Sequence, residues 1–387
     1  MTQRRKKISE QVIVITGASS GIGLVTAKRA AACGAKVVLA ARNERDLERA
    51  VHDITAAGGR AIAVPTDTSD VIQVERLALR AIDAFGRIDT WINNAAVSMY
   101  GRLEEVPLED ARRQLDVNFW GYVHGSLTAL QHMRARGGGI VNVTSALADR
   151  AIPLQGYYCA AKHAVKAFTD TLRMELEAEG LEITVSQVKP GSTDTPFFEK
   201  ARNFFGTEAQ AVPPVYAPEV VADVILDVCE RPRRDVVVSG MGKLLSASNG
   251  ISPRLTDLYL EKKGMEDAQL SDIPKGAGRR DNLWAPVEDD GGERGSTWKG
   301  RTKESSAYNA LERHGRGVAA VIGGLASIAL GAFAVRSFGL HRRLRSSNRP
   351  EETAPPRTSR AAYVDAARAV EAQQEELHFE DGVIVPT

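Results

Sequence analysis

Tyr158 and Lys162 stand four residues apart in the run Tyr158-Cys159-Ala160-Ala161-Lys162. Apolar spacing over residues 156–176 predicts a helix, and residues four apart share one helical face. A phenol and an ammonium then point the same way. A free phenol ionises near pH ~10, above the range of neutral acid–base chemistry, and a neighbouring cation favours the phenolate. A tyrosine tuned in this way can give a proton to a carbonyl oxygen or take one from an alcohol. Tyr157 is excluded, because its i+4 partner is Ala161. The same spacing also describes a plain surface pair, so the rest of the chain has to decide.

Residues 12–15 read as a buried strand, followed by Thr16-Gly17-Ala18-Ser19-Ser20-Gly21-Ile22-Gly23 and an amphipathic helix to about Ala32. Strand, glycine turn and helix are the setting in which a phosphate rests on helix N-terminal amides. The G-x-x-x-G-x-G spacing differs from the common dinucleotide fingerprint. Its glycines still let the backbone approach a pyrophosphate, which places Gly17, Ser19, Ser20, Gly21, Ile22 and Gly23 at a cofactor. A second strand at 36–40 ends in Ala41-Arg42-Asn43. An acidic residue there would take a ribose 2′-hydroxyl, whereas the Arg42 guanidinium suits a 2′-phosphate. The expectation is NADP rather than NAD.

The alternation continues, with helices expected at 45–56, 71–85, 108–133 and 218–229. Strands are expected at 61–64, 90–92, 140–144, 183–188 and 235–239. Strands separated by helices make βαβ units. The predicted class is α/β, a Rossmann-type doubly wound parallel sheet with helices on both faces. Ligands bind beyond the carboxyl ends of such strands. The glycine turn, Asp67, Asn94, Ser145 and Pro190 all fall there and converge on one crevice.

From about Ser9 to Ser239 the chain resembles the short-chain dehydrogenases/reductases. The resemblance rests on Thr16-Gly17-x3-Gly21-x-Gly23, Asn93-Asn94-Ala95, Asn118, Ser145, Tyr158-x3-Lys162 and Pro190-Gly191 with Thr195. Ser145 precedes Tyr158 by thirteen residues, the family spacing. It implies an NAD(P)-dependent oxidoreductase on a small carbonyl or alcohol substrate. Tyr158 would be the general acid/base, and Lys162 would lower its pKa and hold the nicotinamide ribose. Ser145 would bond the substrate oxygen, and Asn118 would hold a water relaying protons to Lys162. Asp67 and Asn94 would line the adenosine side and Thr195 would face the nicotinamide amide, with Thr68, Ala95, Pro190 and Gly191 also binding the cofactor. Long helices around Asn118 and Tyr158 would also pack a homodimer or homotetramer. Ala96 departs from the family, which has glycine there.

The 387 residues carry a formal net charge of +1, so no strong field points to nucleic acid. Cys33, Cys159 and Cys229 are too scattered for a disulfide framework, and the histidines show no metal-ligand spacing. Four phenylalanines, Phe197, Phe198, Phe204 and Phe205, suggest an apolar lid over a lipophilic substrate.

The domain reading is a catalytic domain at 1–263, a polar extension or linker at 264–316, an apolar helix at 317–340 and a largely disordered tail at 341–387 with a possible short helix. Gly317 to Val335 runs nineteen residues without a charge. As a helix it would span about 28 Å, close to a bilayer core. A single-pass anchor with a cytoplasmic catalytic domain is therefore expected. A soluble, self-associating enzyme and a non-catalytic NADP-binding scaffold are the alternatives.

Overall fold

The computed structural model describes residues 5–240, 243, 252–263, 266–276, 280–288, 291–298, 300–306, 309, 377–380 and 383–386. Strands in chain order are β1 (Val12–Thr16), β2 (Lys36–Ala41), β3 (Arg60–Pro65), β4 (Thr90–Asn93) and the two-residue β5 (Met99–Tyr100). They continue with β6 (Gly138–Val143), β7 (Ile183–Pro190), β8 (Arg202–Asn203), β9 (Thr207–Ala209), β10 (Asp235–Val238) and β11 (Leu270–Pro274). The helices are α1 (Gly21–Ala32), α2 (Glu44–Ala56), α3 (Val71–Phe85), α4 (Leu108–Leu115), α5 (Gly121–Met133), α6 (Gly156–Ala178), α7 (Pro218–Glu230) and α8 (Pro253–Lys263).

Seven strands form one parallel sheet in the order β10-β7-β6-β4-β1-β2-β3. Every residue of β1 is buried, as a strand covered on both faces requires. One face packs Leu24 of α1, Leu47 of α2 and Ile225 of α7 on Ile13 and Ile15. The other packs Leu77 of α3, Met133 of α5 and Leu172 of α6 on Val14 and Trp91. The doubly wound class is as the alternation predicts. The order turns back between β1 and β4, where βαβ folds open a crevice at the carboxyl edge.

The helix expected to run unbroken over 108–133 does not do so. Asp116–Trp120 between α4 and α5 is a π turn, a form that clusters at functional sites. It holds Asn118, which is fully buried.

The polar extension does not hang free as a linker. β11 pairs antiparallel with β9, Lys303 exchanges main-chain bonds with Val215 and Ala217, and the Gly292 carbonyl accepts from the Gly21 amide at 2.8 Å.

The chain divides into two compact units, Met1–Gly323 and Gly324–Thr387. In the second, β12 (Leu377–Glu380) and β13 (Val383–Pro386) form an antiparallel hairpin. The apolar stretch 317–335 lies outside the described residues, as does the rest of the tail. Among the described residues no helix is long and apolar enough to cross a membrane.

Candidate active site

The site begins at the carboxyl end of β1. Gly17 has φ +67°, and a Cβ on it would lie 2.8 Å from Ala95 Cα. A Cβ on Gly23 would lie 2.2 Å from the Gly17 carbonyl oxygen, which keeps α1 tight against the turn. The Thr16 hydroxyl accepts from the amides of Asn94 at 2.9 Å and Ala95 at 3.1 Å. Asn94 Nδ2 donates to the Thr16 carbonyl at 3.0 Å. The turns after β1 and β4 are thereby held as one bare-backbone cradle, which fits a dinucleotide pyrophosphate. Ala96 lines the cavity, and its backbone is not left-handed, so glycine is not required there for conformation.

Ser145 follows β6 and caps a short 3-10 turn, its hydroxyl accepting from the Leu147 amide at 3.0 Å. Tyr158 sits in the first turn of α6 with 8% of its surface exposed. Burial pushes the phenol well above its ordinary range, and the hydrogen bond with Ser145 only partly opposes this. The phenol therefore keeps its proton near neutrality.

Lys162, one turn on, is 1% exposed, and burial pulls its ammonium down from 10.5 to about 7. Its Nζ donates to Tyr122 Oη at 2.9 Å and to the Val143 carbonyl at 3.3 Å. It lies 5.6 Å from the Tyr158 ring centroid and 4.4 Å from that of Tyr122. The sequence argument had the Lys162 charge drawing the phenol down. The structure corrects that: burial dominates both groups, and the nitrogen is hydrogen-bonded to Tyr122.

Asn118 spends its side chain on Val97, accepting from its amide and donating to its carbonyl, each at 2.8 Å. It fixes the segment after β4 and does not line the cavity; nor does Gly23.

At the adenosine end, burial works to raise the Asp67 carboxyl. Arg113 at 2.5 Å and Ser69 outweigh it and hold Asp67 below its ordinary value. Arg42 donates to the carbonyls of Asn282, Leu283 and Trp284.

One cavity of about 410 Å³ gathers the predicted set. Gly17, Ser19, Ser20, Gly21, Ile22, Arg42, Asp67, Thr68, Asn94 and Ala95 line its polar reach. Ser145, Tyr158, Lys162, Pro190, Gly191 and Thr195 line it as well. Its apolar lining includes Phe197, Phe198, Val212, Pro213, Pro214 and Leu260. Of the four phenylalanines, Phe197 and Phe198 line the cavity. Phe204 and Phe205 do not line the cavity, and Phe205 packs against the cluster of Tyr100, Ala201, Ala209 and Leu270.

Sequence reasoning missed Tyr122, Arg113 and the stretch around Asn282. Only Tyr122 left a signal, standing four residues after Asn118. It also missed the network beneath the site. There Asn93 Nδ2 donates to Ser126 Oγ at 3.0 Å and to Asn142 Oδ1 at 2.8 Å, and Asn142 donates to Thr169.

Comparison with known proteins is consistent with this geometry. Residues 11–204 match the family described as short chain dehydrogenase. The chain is 41% identical over 327 residues to a Bacillus subtilis (strain 168) protein named "Uncharacterized oxidoreductase YxnA", covering 83% of this chain and 90% of that one. A Burkholderia phymatum short chain dehydrogenase/reductase solved in complex with NAD superposes with TM-score 0.59 at 30% identity. It covers 66% of this chain and 96% of its own. An alcohol dehydrogenase from Thermococcus sibiricus complexed with 5-hydroxy-NADP gives TM-score 0.52 at 26% identity, over 59% of this chain and 95% of that chain.

Proposed function

The chain belongs to the short chain dehydrogenase family and is an NAD(P)-dependent dehydrogenase/reductase, and on that premise we propose an NADP-dependent enzyme interconverting a carbonyl and an alcohol on a small lipophilic substrate. One observation carries the reading. The Ser145-bonded phenol of Tyr158 lines a cavity shared by the glycine cradle and by the apolar walls at Phe197, Phe198 and Leu260.

A bound nicotinamide would supply hydride to the carbonyl carbon. Tyr158 passes its phenolic proton to the carbonyl oxygen as charge develops there, and Ser145 donates a second hydrogen bond to that oxygen. In the reverse direction the phenolate takes the alcohol proton. Lys162 offers a cation one turn away, which favours the phenolate once the proton has left. The side chain of Asn118 is engaged with Val97, so a water relaying protons toward Lys162 would sit on its main-chain carbonyl. Apolar walls at Phe197, Phe198 and Leu260 favour a lipophilic carbonyl compound, and Arg42 at the end of β2 favours the 2′-phosphate of NADP.

The deciding experiment follows NADPH absorbance with purified full-length protein across apolar ketones and aldehydes. Turnover with at least one class is expected. Tight NADPH binding without turnover on any class would leave a scaffold instead.

The apolar residues Trp120 in the π turn, Leu127 on α5 and Met174 on α6 are exposed and would be covered in a homodimer or homotetramer. A monomeric mass by light scattering counts against that. The charge-free stretch 317–335 supports a single-pass anchor with the catalytic domain in the cytoplasm. Full-length protein should then resist carbonate and yield to detergent, and free solubility without detergent would replace the anchor with a soluble, self-associating enzyme.

A further inference from the structure

We propose that residues 281–288 and 291–294 form a strap across the mouth of the dinucleotide groove, which retains the cofactor between turnovers and must open for it to leave. The inference rests on the dinucleotide reading of the cavity.

The strap is anchored on one lip. Leu283 is fully buried with Val97, Val106, Ala111 and Val117, beside α4. Trp284 Nε1 donates to Asp110 Oδ1 at 2.7 Å, and the Arg113 guanidinium lies 5.7 Å from the Trp284 ring centroid. Asp281 pairs with Arg202 at 2.9 Å.

Over the groove the strap touches the residues that would hold the adenosine half. The Arg42 guanidinium is tied to the carbonyls of residues 282–284, and Asn43 Nδ2 donates to the Val287 carbonyl at 2.9 Å. Asn282, Pro286 and Val287 line the same cavity as Gly17 and Asp67.

On the other lip the Gly292 carbonyl accepts from the Gly21 amide, and Glu293 meets Lys28 at 3.0 Å. Arg294 meets Glu219, also at 3.0 Å. The chain thus crosses from α4, past the end of β2, to α1 and α7. A dinucleotide lying along the turns after β1, β2 and β4 is enclosed beneath it.

The two ends differ in strength. Leu283 is held by apolar burial, whereas Lys28 with Glu293 and Arg294 with Glu219 are partly exposed ion pairs, a class that contributes little. Leu283 and Trp284 therefore hold the strap down at the α4 lip, and loosening them opens the groove. Release of cofactor is governed by that opening, as with other loop closures over a site.

The test is NADPH release from full-length protein, read as loss of NADPH fluorescence on rapid mixing with excess NADP+. Leu283→Ala should release NADPH at least tenfold faster than wild type, with kcat at saturating NADPH not reduced more than twofold. Trp284→Ala, at an exposed side chain, should speed release at least threefold and decides the matter if Leu283→Ala does not fold. Release within twofold of wild type in a folded variant overturns the strap while leaving the dinucleotide reading intact. A wild-type protein that binds no NADPH overturns both.

Discussion

Lys162 Nζ donates to Tyr122 Oη at 2.9 Å, and that hydroxyl in turn donates to the Val143 carbonyl at 2.7 Å. The lysine that the sequence pairs with Tyr158 is thus held first by a tyrosine from α5. Tyr122→Phe would leave Nζ with a single acceptor and deprive the Val143 carbonyl of its phenolic donor. An unmet buried hydrogen bond costs about 1–3 kcal/mol. The variant should lose that much stability in denaturant titration and also turn over more slowly. If neither changes, Tyr122 only fills space.

Tyr158→Phe removes the proposed general acid and leaves the glycine cradle untouched. Turnover should fall by about 10²–10⁴-fold. NADPH affinity, read by fluorescence titration, should stay within about threefold, since one general acid accounts for the chemical step alone. Near-wild-type turnover would refute the role given to the phenol.

Lys162 makes stability depend on pH in a definite direction. The unfolded chain keeps the lysine proton up to its ordinary 10.5, and the folded chain only to about 7. Between those values the unfolded state binds more protons, so the folded state gains as pH rises. Below pH 7 both states are charged and the burial cost is present in full. Lys162→Met deletes this slope. The unfolding free energy of wild type, relative to the variant, should therefore rise by about 1 kcal/mol per pH unit across the window. A flat difference would mean that the ammonium stays charged inside.

Arg42→Asp exchanges a cation at the end of β2 for an acceptor suited to a ribose 2′-hydroxyl. The ratio of kcat/KM for NADPH over NADH should fall by at least tenfold. The substitution also releases three strap carbonyls, so release of both cofactors should quicken. An unmoved ratio would show that another group selects the cofactor.

Most of the sheet and the first wall of the site were legible because they obey local rules. β1 and β2 are short apolar runs buried on both faces, and the glycine turn with its strand before and helix after is a local pattern, although the atoms that crowd Gly17 come from Asn94 and Ala95. Ser145 and Asn94 could be placed because strand ends converge in this class of sheet. What stayed hidden depends on partners far along the chain. Arg113 reaches Asp67 across 46 residues, and nothing near either one announces it. For the strap, a polar and glycine-rich composition fits an extension over the domain as well as a linker. Its hold on Arg42 runs through main-chain carbonyls, which composition does not display. The π turn escaped because apolar spacing on either side of it still reads as helix.

That turn has a consequence for lengths rather than for identities. Each residue of an α-helix advances the chain by about 100° of rotation. The residue absorbed at Asp116–Trp120 therefore sets α4 and α5 about that far out of phase with an uninterrupted cylinder. Asn118, which meets Val97, lies within this offset, and Tyr122, which meets Lys162, lies just after it. Deleting one residue there would let a regular helix form and swing the Tyr122 hydroxyl off Lys162, with every named side chain of the site still encoded.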